Sequence, residues 1–319
     1  MSDYRPALAD RFSGSLLGLA IGDALGAHFE GQSQGSIARQ YRTVEKLIED
    51  PPYGELWYTD DTQMAIGVAE TLIKCKRIDE FEICKRFAAN FQPQRGYGRG
   101  ARIVLEAMVE GWDHRELAAN LFPGGSFGNG AAMRVAPVGL MFHHDDQLLW
   151  EQARLSALPT HIHPLGIEGA QVLALAAGLA ARIDSFDRQA YFKTLSAACQ
   201  LTEYSGPLER AGRVADPRDL ALFGNGIEAS SSVVTAIASF GLTPESYEQT
   251  VGNAILLGGD TDTIAAMAGA ISGAYLGQQA IPKHLLLKRE DRHQGRSYIE
   301  GLAKRLFDAH VLCAEGKTK

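Results

Sequence analysis

Apolar residues recur at three- and four-residue intervals through most of the chain, the spacing of one helix face. The pattern predicts helices over 10–27, 63–76, 79–92, 101–111, from 131 onward, and over 147–158, 164–183 and 188–202. It resumes over 227–240, 244–256, 263–277 and 295–312. No apolar/polar alternation runs long enough for a strand, so the expected fold class is all-α, a compact orthogonal helical bundle. Residues 32–54 are polar, carry Pro51-Pro52 and read as a mobile loop with a short helical piece. Residues 207–219 read as loop plus a short turn. No low-complexity linker divides the chain, so 1–319 reads as a single domain.

Two of these helices carry an unusual stripe. Gly14, Gly18, Gly22 and Gly26 recur every fourth position, as do Ala265, Gly269, Gly273 and Gly277. Each interior glycine costs a helix about 1 kcal/mol against alanine. Close approach of another helix is the return that offsets it, so both are read as tightly packed central helices, packed on each other.

The stripes also locate the chemistry. Leu257-Gly258-Gly259-Asp260-Thr261-Asp262-Thr263 opens one striped helix, and Glu30 closes the other. Thr59-Asp60-Asp61-Thr62 opens a third helix. One cap needs one Asp or Thr; these clusters hold more. If Glu30, Asp60, Asp61, Asp260 and Asp262 converge, five like charges repel strongly. Two divalent cations would nearly neutralise them, and an all-oxygen set with Thr59, Thr62, Thr261 and Thr263 alongside favours Mg²⁺ or Mn²⁺ over zinc. Such a pair polarises a substrate oxygen and activates water. Three unrelated capped helix ends remain the plain alternative.

Composition narrows the partners. With 319 residues and a formal net charge of −7, the chain is not a dedicated nucleic-acid binder. Cys75, Cys84, Cys199 and Cys313 form no CxxC pair and read as reduced thiols, hence a cytoplasmic setting. The first residues show no signal-peptide pattern, and the apolar run Leu16–Ala27 is too short, and interrupted by Asp23, to span a bilayer. No membrane partner is expected.

In order along the chain, Gly18–Glu30, Tyr58–Thr62, Arg95–Gly100, Ser126–Val135, Thr160-His161 and Gly258–Gly273 resemble the ADP-ribosylhydrolase family, founded on dinitrogenase-reductase-activating glycohydrolase. Arg-Gly-Tyr-Gly (95–98), Gly-Ser-Phe-Gly-Asn-Gly (125–130) and Phe-Gly-Asn-Gly-Ile (223–227) are most similar to the branch that removes ADP-ribose from serine and also cleaves poly(ADP-ribose) and O-acetyl-ADP-ribose. The resemblance implies an all-α fold around a central di-metal cleft. It places two Mg²⁺ (or Mn²⁺) on Glu30, Thr59, Asp60, Asp61, Asp260, Asp262 and Thr263, with Glu30, Asp60 and Asp61 catalytic. It implies ADP-ribose and ADP-ribosylated proteins as partners. Substrate contacts fall on Gly96, Tyr97, Gly98 and Gly100, on Gly125, Ser126, Phe127, Gly128, Asn129 and Gly130, and on His161, Gly226 and Ile227. Glycine-rich loops leading into helix N-termini suit the diphosphate; Phe127 would stack on a base, and His161 would bond near the ribose. Two positions depart from the pattern: Ala131 stands where related sequences often carry glycine, and Phe127 where the serine branch commonly has tyrosine. A monomer is expected. The rival readings are an arginine-linked ADP-ribose hydrolase, an inactive ADP-ribose-binding module, and a two-metal phosphohydrolase.

Other signals read as structure. His161-x-His163 and His143-His144-Asp145-Asp146 read as loop and solvated turn. Gly96-x-Gly98-x-Gly100 lacks the preceding strand that a dinucleotide fingerprint needs. Lys283-His284 and Lys288–His293 read as a mixed-charge surface segment.

Overall fold

The computed structural model describes residues 6–316 except 53 and 113; the N-terminal residues 1–5 read above for a signal peptide lie outside them. In chain order the helices are α1 (Leu8–Gly26), α2 (Gln34–Gln40), α3 (Val44–Glu49), α4 (Asp60–Cys75), α5 (Glu80–Asn90) and α6 (Arg99–Glu110). Then come α7 (His114–Asn120), α8 (Ala136–Met141), α9 (Asp146–Ala157), α10 (Pro164–Arg182), α11 (Arg188–Ala198) and α12 (Thr202–Ala211). The chain closes with α13 (Ala229–Leu242), α14 (Tyr247–Leu256), α15 (Thr261–Leu276), α16 (Lys283–Lys288) and α17 (Arg296–Gly316). Among the described residues there is no strand, only three isolated bridges. The all-α expectation holds.

The centre is the α1–α15 pair, and the two stripes face each other as expected. A Cβ at Gly14 would sit 2.4 Å from Gly273 O, at Gly18 2.4 Å from Gly269 O, at Gly22 2.2 Å from Ala265 O, and at Gly26 2.4 Å from Thr261 O. The pairing runs antiparallel in one-turn steps from end to end. Tyr247 Oη donates to Gly18 O at 2.8 Å and Thr261 Oγ1 to Gly26 O at 2.8 Å, which ties α14 and the top of α15 to the same seam. α4, α8, α10, α13, α14 and α17 pack around the pair. Helix α10 is long and apolar enough to cross a membrane, yet 83% of that window is buried in the protein.

Several elements differ from expectation. The stretch 32–54 forms two short helices, α2 and α3, capped by Ser33 and Thr43, and buries Ile37, Leu47 and Ile48 on the core. The predicted helix 188–202 stops at Ala198 because Glu168 Oε1, on α10, accepts the amides of Gln200 and Leu201 at 2.7 and 3.0 Å. α12 then continues to Ala211, inside the supposed loop. α7 was not expected, and regular helix after 131 begins only at Ala136. The supposed solvated turn buries His143, while Asp145 caps α9.

The seam generates a test. Gly22→Ala gains about 1 kcal/mol of helix propensity but must push apart two backbones with no flexible side chain to yield. We expect a net loss of about 2 kcal/mol or more. Gly35→Ala in α2, where a Cβ meets nothing within 4 Å, should be neutral or slightly stabilising. Urea-unfolding midpoints of the two variants compare them directly.

Candidate active site

The seam ends where three helix boundaries meet. Glu30 follows the 3₁₀ turn Ala27–Phe29 after α1; Asp60 and Asp61 open α4; Asp260, Asp262 and Thr263 open α15. Carboxylate oxygens of Glu30, Asp260 and Asp262 lie within 4.8 Å of one another. All five carboxylates line one cleft of about 340 Å³.

Capping does not explain them. Ser33, Thr43, Asp79, Asp145, Asp187 and Ser246 all cap their own helices through the side chain. Thr59 and Asp260, the N-caps of α4 and α15, do not. The donors at the start of α4 go instead to Asp23 of α1. Its fully buried carboxylate accepts from Thr59 N at 2.9 Å, Thr62 N at 3.1 Å and Thr62 Oγ1. A side chain from another helix thus does the capping, and Asp60 and Asp61 stay turned to the cleft.

The electrostatics are one-sided. Burial, then Asp23, then the other carboxylates lift Asp60 to about 7. Asp61 and Asp262 are pushed well above the usual range, first by burial and then by neighbouring carboxylates. Burial and Asp260 raise Glu30. Burial also raises Asp260, against the Asn129 amide, which donates to Asp260 Oδ2 at 2.6 Å. Asp61 Oδ2 accepts from Thr59 Oγ1 at 3.0 Å while its buried Oδ1 has no partner. Among the described residues no Lys or Arg forms an ion pair with these five. An all-oxygen, charge-uncompensated set with an orphaned acceptor is what hard divalent cations fit. The N-termini of α4 and α15 add only fractional positive charge.

Much of the remaining lining is built from glycine loops. Gly98 is the N-cap of α6, and Gly96, Gly98 and Gly100 line the cleft beside Asp60. Ser126, Gly128, Asn129 and Gly130 line it too. The two Phe-Gly-Asn-Gly copies have distinct tasks. Asn129 holds the Asp260 side chain. Asn225 donates to Leu257 O and Gly258 O at 3.1 and 3.0 Å, and its carbonyl receives Asp260 N at 2.8 Å. That grip suits Gly258 and Gly259, whose φ of +72° and +79° other residues rarely adopt. The first copy also meets the chain just after the second: Asn129 N donates to Ile227 O and Ala229 N to Phe127 O, an antiparallel bridge at the edge of the cleft.

Buried Arg134 donates to Gly130 O, Ser156 O and Thr160 Oγ1. The Thr160 hydroxyl then has its proton for His161 Nδ1 at 2.7 Å. This leaves Nε2 as the protonated nitrogen, beside Gly128 and Gly130. Burial and Arg134 lower His161 to about 3, so it is a neutral donor.

Not every expected contact faces the cleft. Tyr97 is buried with its hydroxyl on Gln63 Oε1 at 2.8 Å. Thr59, Gly125, Phe127 and Gly226 lie outside the lining. Phe127 is half-exposed against His163, 5.8 Å between rings, while Ile227 is exposed at the edge of the lining. Asp23 and Arg134 were missed. So were Arg289 and Glu290, which are buried rather than superficial. Glu290 Oε1 accepts Arg95 Nη1 at 2.6 Å, and Arg95 and Arg289 both lie over the Tyr58 ring just before α4.

Comparison with known proteins identifies the family. The ADP-ribosylglycohydrolase family model matches residues 4–315. The chain belongs to that family. It is 35% identical to ADP-ribosylhydrolase ARH3 of Homo sapiens, over 86% of this chain and 87% of that protein. It is 38% identical to ADP-ribosylhydrolase ARH3 of Gallus gallus, over 88% and 89%. A solved structure described as an ADP-ribosylglycohydrolase-related protein complex superposes with a TM-score of 0.73 at 28% identity, covering 95% of this chain and 99% of that one. The chain is therefore an ADP-ribosylglycohydrolase, a hydrolase on an all-α fold.

In this glycohydrolase Asp23 is a positioning residue, and its substitution is informative. Asp23→Asn turns an NH₂ group toward donors that need an acceptor. In chelator, without added metal, it should lose about 2 kcal/mol of stability, read by urea unfolding.

Proposed function

We propose that the protein hydrolyses the glycosidic bond of ADP-ribose on protein side chains, favouring the serine-type O-linkage, and also accepts poly(ADP-ribose) and O-acetyl-ADP-ribose. It would act as a single-domain cytoplasmic monomer. The observation that carries the reading is five carboxylates from three helix boundaries in one cleft, facing glycine loops and a neutral histidine. Glu30, Asp60, Asp61, Asp260, Asp262 and Thr263 would hold two Mg²⁺ or Mn²⁺ ions, with Thr59, whose hydroxyl donates to Asp61 Oδ2, behind them. When bound, these supply positive charge for the ribose oxygens and the attacking water.

The chain's own groups do the rest. The amides of Gly98–Gly100, at the N-terminus of α6, and of Ser126–Gly130 receive the diphosphate. His161 Nε2 donates to the ligand near that loop. Val104, Leu121, Phe122 and Met133, apolar residues of the cleft lining, exclude water around the adenosine. Glu30 is exposed at the mouth, before Gly31 with φ +73°. Its carboxylate takes the proton from the water that attacks the anomeric carbon; the bond from that carbon to the acceptor oxygen breaks with its electron pair on the oxygen, which takes a proton from solvent as Glu30 returns its own to bulk water. Phe127 and Ile227 at the rim meet the modified protein.

Chelation should abolish hydrolysis and Mg²⁺ or Mn²⁺ should restore it. A panel of serine-linked, arginine-linked and polymer substrates, with the product weighed by mass spectrometry, tests the linkage. Release of intact ADP-ribose from the serine substrate first supports the reading. Preference for arginine replaces it, release of phosphate or nucleotide makes the enzyme a phosphohydrolase, and binding without turnover makes the chain an ADP-ribose-binding module.

Glu30→Gln separates base from scaffold. Hydrolysis in a single turnover should fall ~10²–10⁴-fold, while ADP-ribose affinity by calorimetry stays within about tenfold, or about 1.4 kcal/mol. Equal losses in both would reduce Glu30 to a wall of the site.

A further inference from the structure

A second cluster of potential ligands lies outside the cleft. His143 and His144 follow α8, and His310 is on α17. One ring nitrogen from each lies within 4.8 Å of the other two. His143 and His310 are buried and His144 is exposed. The ring centroids of His143 and His310 are 4.6 Å apart, and His144 is 5.3 Å from His310.

The hydrogen bonding fixes the tautomers. His143 Nδ1 lies 2.8 Å from Leu140 O, and His310 Nδ1 lies 2.8 Å from Met141 O. A carbonyl only accepts, so both Nδ1 atoms carry the proton. Both Nε2 lone pairs are therefore left for a Lewis acid. A backbone carbonyl that takes the second N–H is the usual support behind a metal-bound histidine, because it sets ring orientation and raises basicity. Here two neighbouring carbonyls, at the end of one short helix, support two of three imidazoles. The surroundings suit the rings as well. Phe12 packs edge-on to His143 at 6.3 Å and tilted against His310 at 5.6 Å. The nearby cation Arg182 donates to His143 O but is paired with Asp146 at 2.7 Å, which offsets its charge.

We propose that His143, His144 and His310 form a site for a divalent transition metal of the zinc class, which clamps the C-terminal helix α17 to the α8–α9 turn. Three imidazole ligands select borderline-soft ions such as Zn²⁺ or Co²⁺ and are poor ligands for Mg²⁺. The exposed side, at His144, leaves the fourth position to water. The site is thus orthogonal in chemistry to the acidic cleft, and none of its residues lines that cleft.

The full-length chain, stripped with chelator and then held in excess Mg²⁺ to occupy the acidic cleft, is titrated with Zn²⁺ by calorimetry and with Co²⁺ by visible absorption. The expected result is one further ion per chain, ligand-field bands of a tetrahedral nitrogen-ligated Co²⁺, and a rise in melting temperature with Zn²⁺. His144→Ala, at an exposed position, should weaken binding at least tenfold and blunt the thermal shift. His310→Gln should abolish both, with folding checked by circular dichroism. No ion bound in excess Mg²⁺ overturns the proposal. So does binding that both variants retain, which would place the ion elsewhere.

Discussion

The backbone contact between α1 and α15 is the constraint on which the molecule depends. Four one-turn steps with glycine on the α1 side bring the helices closer than a Cβ at any of those four positions allows. Dispersion and apolar burial along such a seam must repay the poor helix propensity of its glycines. The seam also sets the chemistry. Its last step, Gly26 against Thr261, leaves Glu30 and the Asp260–Thr263 turn side by side. α4 is then drawn in by Asp23, which sits on the same helix as the stripe. The carboxylates meet because two backbones touch.

That arrangement works against stability. Buried carboxylates that repel one another lower their cost by taking up protons, by drawing in cations, or by loosening the turn. Here the turn is kept from loosening. Asn225 holds its backbone, Asn129 holds Asp260, and Tyr58, flanked by Arg95 and Arg289, braces the approach to α4. The polar network around the acids is a rigid frame whose unfilled valence points one way, into the cleft.

Much of this was readable in local spacing. The glycine period, the Asp/Thr doublets at helix starts and the order of motifs are short-range patterns, and they placed the fold class and the acidic groups. What escaped was set by contacts distant in sequence. Asp23 looked like a blemish in an apolar run because its donors lie at Thr59 and Thr62. Arg289 and Glu290 looked like a solvated charge run because Arg95 and Tyr58, which bury them, are far upstream. Tyr97 was carried along by its glycine neighbours, yet Gln63 draws its hydroxyl inward. The break after Ala198 follows from Glu168 on another helix, which no propensity at 199–201 signals.

The one-turn register of the seam also governs how the chain can change length. Inserting or deleting a single residue between Gly14 and Gly26 rotates everything after it by about 100°. It would set a side chain against the partner's carbonyls and swing Glu30 off the cleft. Neighbouring segments are under no such rule: α2 and α3 are joined by short connections at the surface. Drift in length within this architecture should therefore collect there and in the turns around α7, α11 and α12, while the two striped helices keep an invariant count of residues.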